Sequence, residues 1–341
     1  MLDCLRRLCE VPAVSGREDQ LAETILREIS PFAECTRDNL GNIRAFKAGR
    51  NRPKLKVMLD AHMDEVGLII TNVNDDGYLL FDTVGGIDPS VIFGTRVRIG
   101  ETVGVIASTP VHLLSEDERL KTPKSDQLVI DIGANSKEDA LAVIHIGDVA
   151  VFDVSFSEFG QGLVKSRALD DRAGCAVLIE LIKRELPCDM YFCFTVQEEV
   201  GLRGAQTSAF HIAPDAAIVV EATFAADVPG IPAEQQVCRL GGGTAVSFMD
   251  NGTVYDRELY DLAFTVAKEN GLSAQPKAVA AGGNNSGAIH TALGGVRTVA
   301  LSVPCRYIHS QRSVISLNDL QNTAELTFHL ASRMAALTID H

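Results

Sequence analysis

Five short segments of the sequence concentrate carboxylates and imidazoles, the side chains that bind divalent metal ions and transfer protons. They are His62-Met-Asp64, Asp170-Asp171, Glu198-Glu199, Glu221 and His309. Each lies beside the predicted end of a strand. Metal sites in hydrolases collect ligands from several strand ends, because one segment rarely offers enough correctly aimed oxygens and nitrogens. The five segments together therefore predict a metal centre.

A single segment of this kind is weak evidence for a metal site. A lone histidine after a strand is usually a structural or surface residue, and an adjacent acidic pair is usually a solvated turn. The pair Glu198-Glu199 differs because it follows the apolar run from Tyr191 to Val196 directly. Burying two unpaired carboxylates there would cost much free energy. Bound metal ions would offset that cost, which favours a metal centre over a turn.

The segments that hold these side chains alternate between helix and strand. Apolar periodicity predicts helices at 2–9, 21–29, 171–183, 259–269 and 320–337, and strands at 42–46, 54–59, 190–196, 216–220 and 296–303. Polar residues that follow buried strands are typical of an α/β site.

Residues 66–164 show a different pattern, in which Gly, Asp and Pro divide short strand-like segments around one helix-like stretch near 136–143. Asp75-Asp76-Gly77 predicts the turn of a hairpin. A calcium-binding EF-hand loop is the poorer interpretation, because Thr83 stands where that loop needs a bidentate Glu. The predicted fold class is α/β: a mixed sheet flanked by helices, built from 1–65 and 165–341, with a small β-barrel-like domain inserted at 66–164.

The length of the chain and its net charge indicate the number of domains and the partners that the protein can bind. At 341 residues the chain exceeds the roughly 250 to 300 residues at which one hydrophobic core stops growing, which favours two domains. Acidic residues outnumber basic residues 45 to 31, so nucleic acid and anionic membranes are not expected partners. No run of about 18 apolar residues and no signal-peptide pattern occurs, which predicts a cytoplasmic protein.

The eight cysteines form no CxxC pair, and we expect free, mostly buried thiols.

Five longer motifs span nearly the whole chain: Val14-Ser-Gly-Arg-Glu18, Asp60-Ala-His-Met-Asp-Glu-Val-Gly67, Ala168-Leu-Asp-Asp-Arg-Ala-Gly174, Gln197-Glu-Glu-Val-Gly201 and Arg306-Tyr-Ile-His-Ser310. Together they resemble the glutamyl aminopeptidase family of dinuclear metallopeptidases, which includes the tetrahedral aminopeptidases and proteins labelled cellulase M. The resemblance implies the co-catalytic metallopeptidase fold, with the inserted domain used for dimerisation and larger assembly.

The resemblance also implies a role for each site residue. Asp170 would bridge two divalent metal ions, His62 and Glu221 would complete one site, and Glu199 and His309 would complete the other. Glu198 would be the general base that activates a metal-bridging hydroxide and later returns the proton to the leaving amine. Asp64 would orient the imidazole of His62.

The implied activity is removal of N-terminal residues from peptides, with zinc or cobalt as the expected metals and manganese as the alternative. A deacylase or carboxypeptidase on the same metal pair and a non-enzymatic scaffold are the other hypotheses. A glycosidase is disfavoured, because that chemistry ordinarily uses two carboxylates without histidine-bound metals. The family forms homo-oligomers, with a dimer as the building block and often a dodecamer.

Some residues depart from the family pattern. Glu221 and Asn285 stand where Asp is usual, and Gln311 and Ser313 replace a common Pro and Glu. None of these changes removes an expected ligand, since Glu is also an oxygen ligand. They bear on substrate preference, and the sequence leaves the substrate-binding residues and the preferred N-terminal residue unassigned.

Overall fold

The computed structural model describes residues 1–53 and 55–337. The helices are α1 (Leu2–Glu10), α2 (Asp19–Ile29), α3 (Glu116–Arg119), α4 (Lys137–Leu141), α5 (Leu169–Lys183), α6 (Arg203–Ile212), α7 (Arg257–Glu269), α8 (Ser286–Ile289) and α9 (Leu317–Ala335). The strands are β1 (Glu34–Arg37), β2 (Ile43–Lys47), β3 (Val57–His62), β4 (Gly67–Val73), β5 (Leu79–Val84), β6 (Arg96–Ile99), β7 (Thr102–Ala107), β8 (Val129–Asp131), β9 (Val149–Phe152), β10 (Ser157–Phe159), β11 (Leu163–Ser166), β12 (Met190–Thr195), β13 (Ala216–Phe224), β14 (Thr244–Val246), β15 (Ala274–Pro276), β16 (Arg297–Arg306) and β17 (Ser313–Ser316).

A large mixed sheet forms the centre of the α/β part. Its strand order is β1-β2-β12-β3-β13-β16-β17-β11-β10, with β14 and β15 added beside β16. Strands β12, β3, β13 and β16 run parallel to one another, so their carboxyl ends meet at one edge of the sheet. Every residue of β3 is buried, as expected of a strand covered on both faces.

Helices cover both faces of this sheet. Helix α5 is apolar around most of its circumference and is buried, with α1, α2, α7 and α9 packed on the same side. Helices α6 and α8 pack on the opposite face. A helix that is apolar all round has to lie inside the protein, which explains why α5 occupies the middle of its layer.

A separate closed barrel is formed by β4-β5-β8-β7-β6-β9. Its interior is filled by apolar side chains such as Leu68, Ile106 and Ile130. The barrel strands extend from Gly67 to Phe152, and β10 and β11 then return to the large sheet. The predicted fold class, a helix-flanked mixed sheet with a small barrel, is therefore confirmed.

The predicted helices and strands differ from the observed ones mainly at their ends. Helix α9 begins earlier than expected, because the Ser316 hydroxyl accepts a hydrogen bond from the backbone N–H of Asp319. Lys54, the first residue of a predicted strand, lies outside the described residues, and the strand begins at Val57. Within 1–53 and 55–337, no helix combines the length and apolar character needed to cross a membrane.

Candidate metal centre

The five predicted ligands come together at the carboxyl edge of the large sheet. His62 ends β3, Glu221 lies within β13, and Glu199 and His309 follow β12 and β16. Asp170 lies in the first turn of α5. All five side chains line one cavity of about 290 Å³. Parallel strands bring together residues that are far apart in sequence, which is why five separate segments can build one site.

The carboxylate of Asp170 lies between two histidines. Its Oδ1 atom is 3.2 Å from Nε2 of His62, and its Oδ2 atom is 3.2 Å from Nε2 of His309. Glu221 Oε1 is 3.4 Å from the His62 nitrogen, and Glu199 Oε2 is 3.3 Å from the His309 nitrogen. Ligand atoms about 2.0 to 2.1 Å from a tetrahedral zinc lie about 3.3 Å from one another. The spacing around Asp170 therefore fits a metal site to which these side chains would contribute ligands.

The buried carboxylates of the site favour positive charge on their neighbours. Burial lowers the pKa of His309, but the Asp170 and Glu199 carboxylates raise it to about 11. Burial likewise lowers the pKa of His62, and Glu221, Asp170 and Asp64 raise it well above its ordinary value. Burial and the charge of Asp170 raise the pKa of Glu221 to about 8. Closely spaced, buried carboxylates repel one another and are stabilised by a nearby cation. A bound divalent metal ion would supply that positive charge.

Two buried carboxylate oxygens at the site have no hydrogen-bond partner within the described residues. They are Oε1 of Glu199 and Oδ2 of Asp171. A buried oxygen without a partner is costly, and a metal ion would satisfy it. Asp171 also forms a possible ligand group with His62 and Glu221, because one ligand atom from each lies within 4.8 Å of the others. The sequence singled out Asp171 as part of an acidic pair without giving it a role.

Glu198 lines the cavity but belongs to neither of the two ligand pairs. Among the described residues, Glu198 is hydrogen-bonded through its backbone N–H to Asp64, and its carboxylate has no hydrogen bond or ion pair. Burial raises the pKa of Glu198 well above its ordinary value, and the charges of Glu221, Glu199 and Asp170 add to this effect. A carboxylate with a raised pKa that faces the cavity is suited to accepting and returning a proton.

Asp64 contacts more of the site than its sequence position indicated. Its side chain lies 3.4 Å from Nδ1 of His62, whose closer partner, at 3.0 Å, is the backbone oxygen of Asp64. The carboxylate also accepts hydrogen bonds from the backbone N–H groups of Glu198 (3.0 Å) and Glu199 (3.2 Å) and from the Ser15 hydroxyl (2.6 Å). Asp64 therefore holds the segment that follows β12 as well as the imidazole, and the sequence had indicated only the second role.

The barrel also reaches the site. Nδ1 of His309 lies 2.9 Å from the backbone oxygen of Gly86, which follows β5. A proton on Nδ1 would be donated to that oxygen, leaving Nε2 free to face Asp170 and Glu199. Gly86 and His309 are 223 residues apart, and no sequence signal links them.

Two residues of the site segments have backbone angles in the left-handed region: one directly precedes Glu198, and the other is His309. Gln197 has φ 56° and His309 has φ 56°. Residues other than glycine rarely adopt such angles, and they concentrate at functional sites, where the surrounding structure holds them. The two turns aim Glu198, Glu199 and His309 at the cavity.

The residues that depart from the family pattern lie around the site. Asn285 is buried, and its side-chain nitrogen donates to Asp60 Oδ2 at 2.7 Å and to Thr195 Oγ1 at 2.8 Å. Ser313 donates to the backbone oxygen of Ser166 and borders a small cleft beside His309. Gln311 is half-buried. Lys277, which the sequence analysis overlooked, also lines the cavity.

Known proteins resemble this chain along nearly its whole length. A model of the M42 glutamyl aminopeptidase family matches residues 41–326. A putative aminopeptidase from Acetivibrio thermocellus is 39% identical, with 96% of this chain and 97% of that protein covered. A lysyl aminopeptidase from Pyrococcus furiosus is 33% identical, with 95% of this chain and 94% of that protein covered. The TET1 peptidase of Pyrococcus horikoshii, which can assemble into a tetrahedron or a large octahedral shell, has a TM-score of 0.85 at 36% identity, with 97% of this chain and 98% of that chain covered.

Proposed function

Because the chain belongs to the M42 glutamyl aminopeptidase family, we propose that it is a metal-dependent enzyme that removes N-terminal residues from peptides. One observation carries the proposal: Asp170 lies between two ligand pairs, His62 with Glu221 and His309 with Glu199. Histidine and carboxylate ligands in this number suit zinc or cobalt, with manganese as the alternative.

Two divalent ions bound here would supply Lewis-acid polarisation of a carbonyl and would lower the pKa of a water molecule. The protein's own residues perform the remaining tasks. Glu198, free of both ligand pairs and facing the cavity, takes the proton from the attacking water and returns it to the leaving amine. The Asp64 carboxylate accepts a hydrogen bond from the backbone N–H of Glu198, which keeps Glu198 in position. The same carboxylate lies beside the imidazole of His62 and holds it. Gly86 holds the second imidazole from the barrel side.

A chelator experiment tests this proposal. The purified protein is stripped of metal, supplied with zinc, cobalt or manganese, and assayed on a panel of aminoacyl-nitroanilides and their N-acetylated forms. We expect activity only after a metal is restored and only on substrates with a free amine. Equal release of nitroaniline from the acetylated substrates would contradict the aminopeptidase, and release of acetate from them without nitroaniline would favour a deacylase instead. Failure to bind any of the three metals, measured by elemental analysis, would favour a scaffold.

We also propose that the protein is a homo-oligomer that associates through its barrel. The exposed apolar side chains of the described barrel region include Val111 and Leu113, each 67% exposed, and Leu120, 88% exposed. Large apolar side chains that are this exposed are candidates for an association surface. Light scattering coupled to size exclusion would measure the assembly, and Leu113→Asp combined with Leu120→Asp is expected to reduce it. A monomeric wild-type protein would contradict the proposal.

A further inference from the structure

The segment 196–199, which carries Glu198, leaves the large sheet directly after β12. The last residue of that strand, Thr195, still pairs with His62 of β3. Each of the next four backbone N–H groups donates to a side-chain oxygen, and the acceptors are Asn42 for Val196 (2.9 Å), Glu18 for Gln197 (3.1 Å), and Asp64 for Glu198 (3.0 Å) and Glu199 (3.2 Å). Backbone donors that leave a sheet inside a protein need new acceptors, so these three side chains fix the path of the segment.

Glu18 is the acceptor that comes from the N-terminal part of the chain. It directly precedes α2, and only 4% of its surface is exposed. Its Oε1 atom accepts from the N–H of Gly16 at 2.8 Å and from the N–H of Gln197, which is 179 residues away. Burying a carboxylate costs free energy, and charge-assisted hydrogen bonds offset that cost. The motif of residues 14–18 therefore ends in a side chain that reaches the segment 196–199.

Gln197 is held in a backbone conformation that a glutamine disfavours. Its φ is 56°, in the left-handed region, where residues other than glycine stay only if their contacts hold them. Its backbone oxygen accepts from the N–H of Arg203, the first residue of α6, at 3.2 Å. Its N–H is held by Glu18. Loss of Glu18 would free one of these two contacts and allow the peptide group that precedes Gln197 to rotate.

We propose that Glu18 is a positioning residue for Glu198: by accepting the N–H of Gln197, it keeps the turn that aims the Glu198 carboxylate at the cavity. The inference rests on the proposed aminopeptidase function, in which Glu198 is the base, and deepens it. A base has to lie within hydrogen-bond reach of the proton that it takes, so a small displacement slows the reaction.

The metal ligand in the same segment should be less affected than the base. Glu198 is one residue from the contact with Glu18, and Glu199 is two residues from it. The carboxylate of Asp64 holds the N–H of Glu199 at 3.2 Å without any help from Glu18. We therefore expect the loss of Glu18 to misplace the base and to leave the metal content unchanged.

Two substitutions of Glu18 and one control test the role. Glu18→Ala removes the acceptor. Glu18→Gln keeps a side-chain oxygen at the same reach, and because one oxygen accepts both N–H groups, it should keep the contact without the charge. Glu23→Ala removes an exposed glutamate on α2. Each metal-loaded protein is assayed on the aminoacyl-nitroanilide that the wild-type protein cleaves fastest, and its metal content is measured by elemental analysis.

The expected losses are in kcat rather than in KM. Glu18→Ala should lower kcat by about 10- to 100-fold, the scale on which a displacement of about 1 Å slows an enzyme. KM should change by less than about twofold, because the substitution removes no contact to substrate. Glu18→Gln should recover most of the lost kcat, and Glu23→Ala should match the wild-type protein. A Glu18→Gln variant as slow as Glu18→Ala would overturn the assignment.

A double-mutant cycle shows whether Glu18 acts through Glu198. In the Glu198→Gln background the base is already absent, so adding Glu18→Ala should lower kcat by less than about twofold. A further loss of about 10- to 100-fold in that background would overturn the positioning role. Loss of metal from Glu18→Ala in proportion to its loss of kcat would overturn it as well, because Glu18 would then hold the ligands rather than the base.

Hydrogen exchange gives a readout that does not depend on turnover. Mass spectrometry of the metal-loaded proteins follows a peptide that contains the N–H of Gln197. In Glu18→Ala this N–H should exchange at least about 10-fold faster, because it loses a charge-assisted hydrogen bond, while peptides from α5 should exchange as in the wild-type protein. If the wild-type protein cleaves no aminoacyl-nitroanilide, the proposed function fails, and the exchange rate still decides whether Glu18 holds the segment 196–199. Unchanged exchange at Gln197 would overturn that contact.

Discussion

Replacing Asp64 with Asn is the most informative perturbation of the candidate metal centre. The substitution preserves shape but replaces a charged acceptor with an amide. In the wild-type protein the carboxylate accepts from the Ser15 hydroxyl and from the backbone N–H groups of Glu198 and Glu199, and it lies 3.4 Å from His62. The asparagine retains one oxygen, so its amide nitrogen would have to face at least one of these donors.

The size of the effect follows from these contacts. Hydrogen bonds to a charged group contribute about 1.5 to 3 kcal/mol each, against about 1 kcal/mol for neutral pairs. Weakening two such bonds and losing one should lower the free energy of unfolding by about 3 to 5 kcal/mol. Removing a partner that holds a metal-binding histidine typically weakens metal affinity by about 10- to 100-fold. Asp64→Asn should therefore reduce both stability and metal binding.

Two assays separate these effects. Urea unfolding of the metal-free protein, followed by circular dichroism, measures stability, and competition with a chromophoric chelator measures zinc affinity. Ser15→Ala is the matched control, because it removes one donor and leaves the carboxylate in place. The control should lose about 1 to 3 kcal/mol of stability and keep its metal affinity. Wild-type zinc affinity in Asp64→Asn would refute the positioning role.

Three further predictions concern the site. Glu198→Gln should lower kcat by about 10²- to 10⁴-fold while the metal content by elemental analysis stays the same, and loss of metal together with activity would contradict its role as the base. Glu221→Ala should reduce the bound metal from two ions to one per chain, because the His309 pair keeps its ligands, and retention of two ions would count against the ligand set. Metal binding should release protons and strengthen as pH rises, because the surrounding carboxylates raise the pKa of His62 and of His309, which favours imidazolium forms whose protons a metal ion must displace. Calorimetry in buffers of different ionisation enthalpy measures that release, and metal uptake without it would contradict the electrostatics.

Much of the fold could be predicted because buried elements leave long apolar patterns. The runs that became β12 and β13 are continuous, as in strands covered on both faces, and α5 is apolar nearly all round. The barrel could be predicted only as a set of short strands. Its closure depends on the pairing of β4 and β6 with β9, which joins segments far apart in the chain. Pairing of this kind leaves no local pattern.

The site divides in a similar way. His62, Asp170, Glu198, Glu199, Glu221 and His309 could be picked out because polar groups beside buried strands are rare and costly. Which histidine pairs with which carboxylate came from the resemblance alone, and the structure supplies the distances that fit it. The contacts of Ser15 with Asp64 and of Gly86 with His309 could not be predicted, since a hydroxyl and a backbone oxygen are too common in sequence to attract notice.

The sequence by itself determined which side chains are available for chemistry and that they follow strands of an α/β fold, because residue type and apolar period are local properties. Only the tertiary structure decided that Asp170 lies between two histidines and that Lys277 faces the same cavity without a described partner. Distances of 2.9 to 3.2 Å between segments more than a hundred residues apart depend on how the sheet, the helices and the barrel pack together.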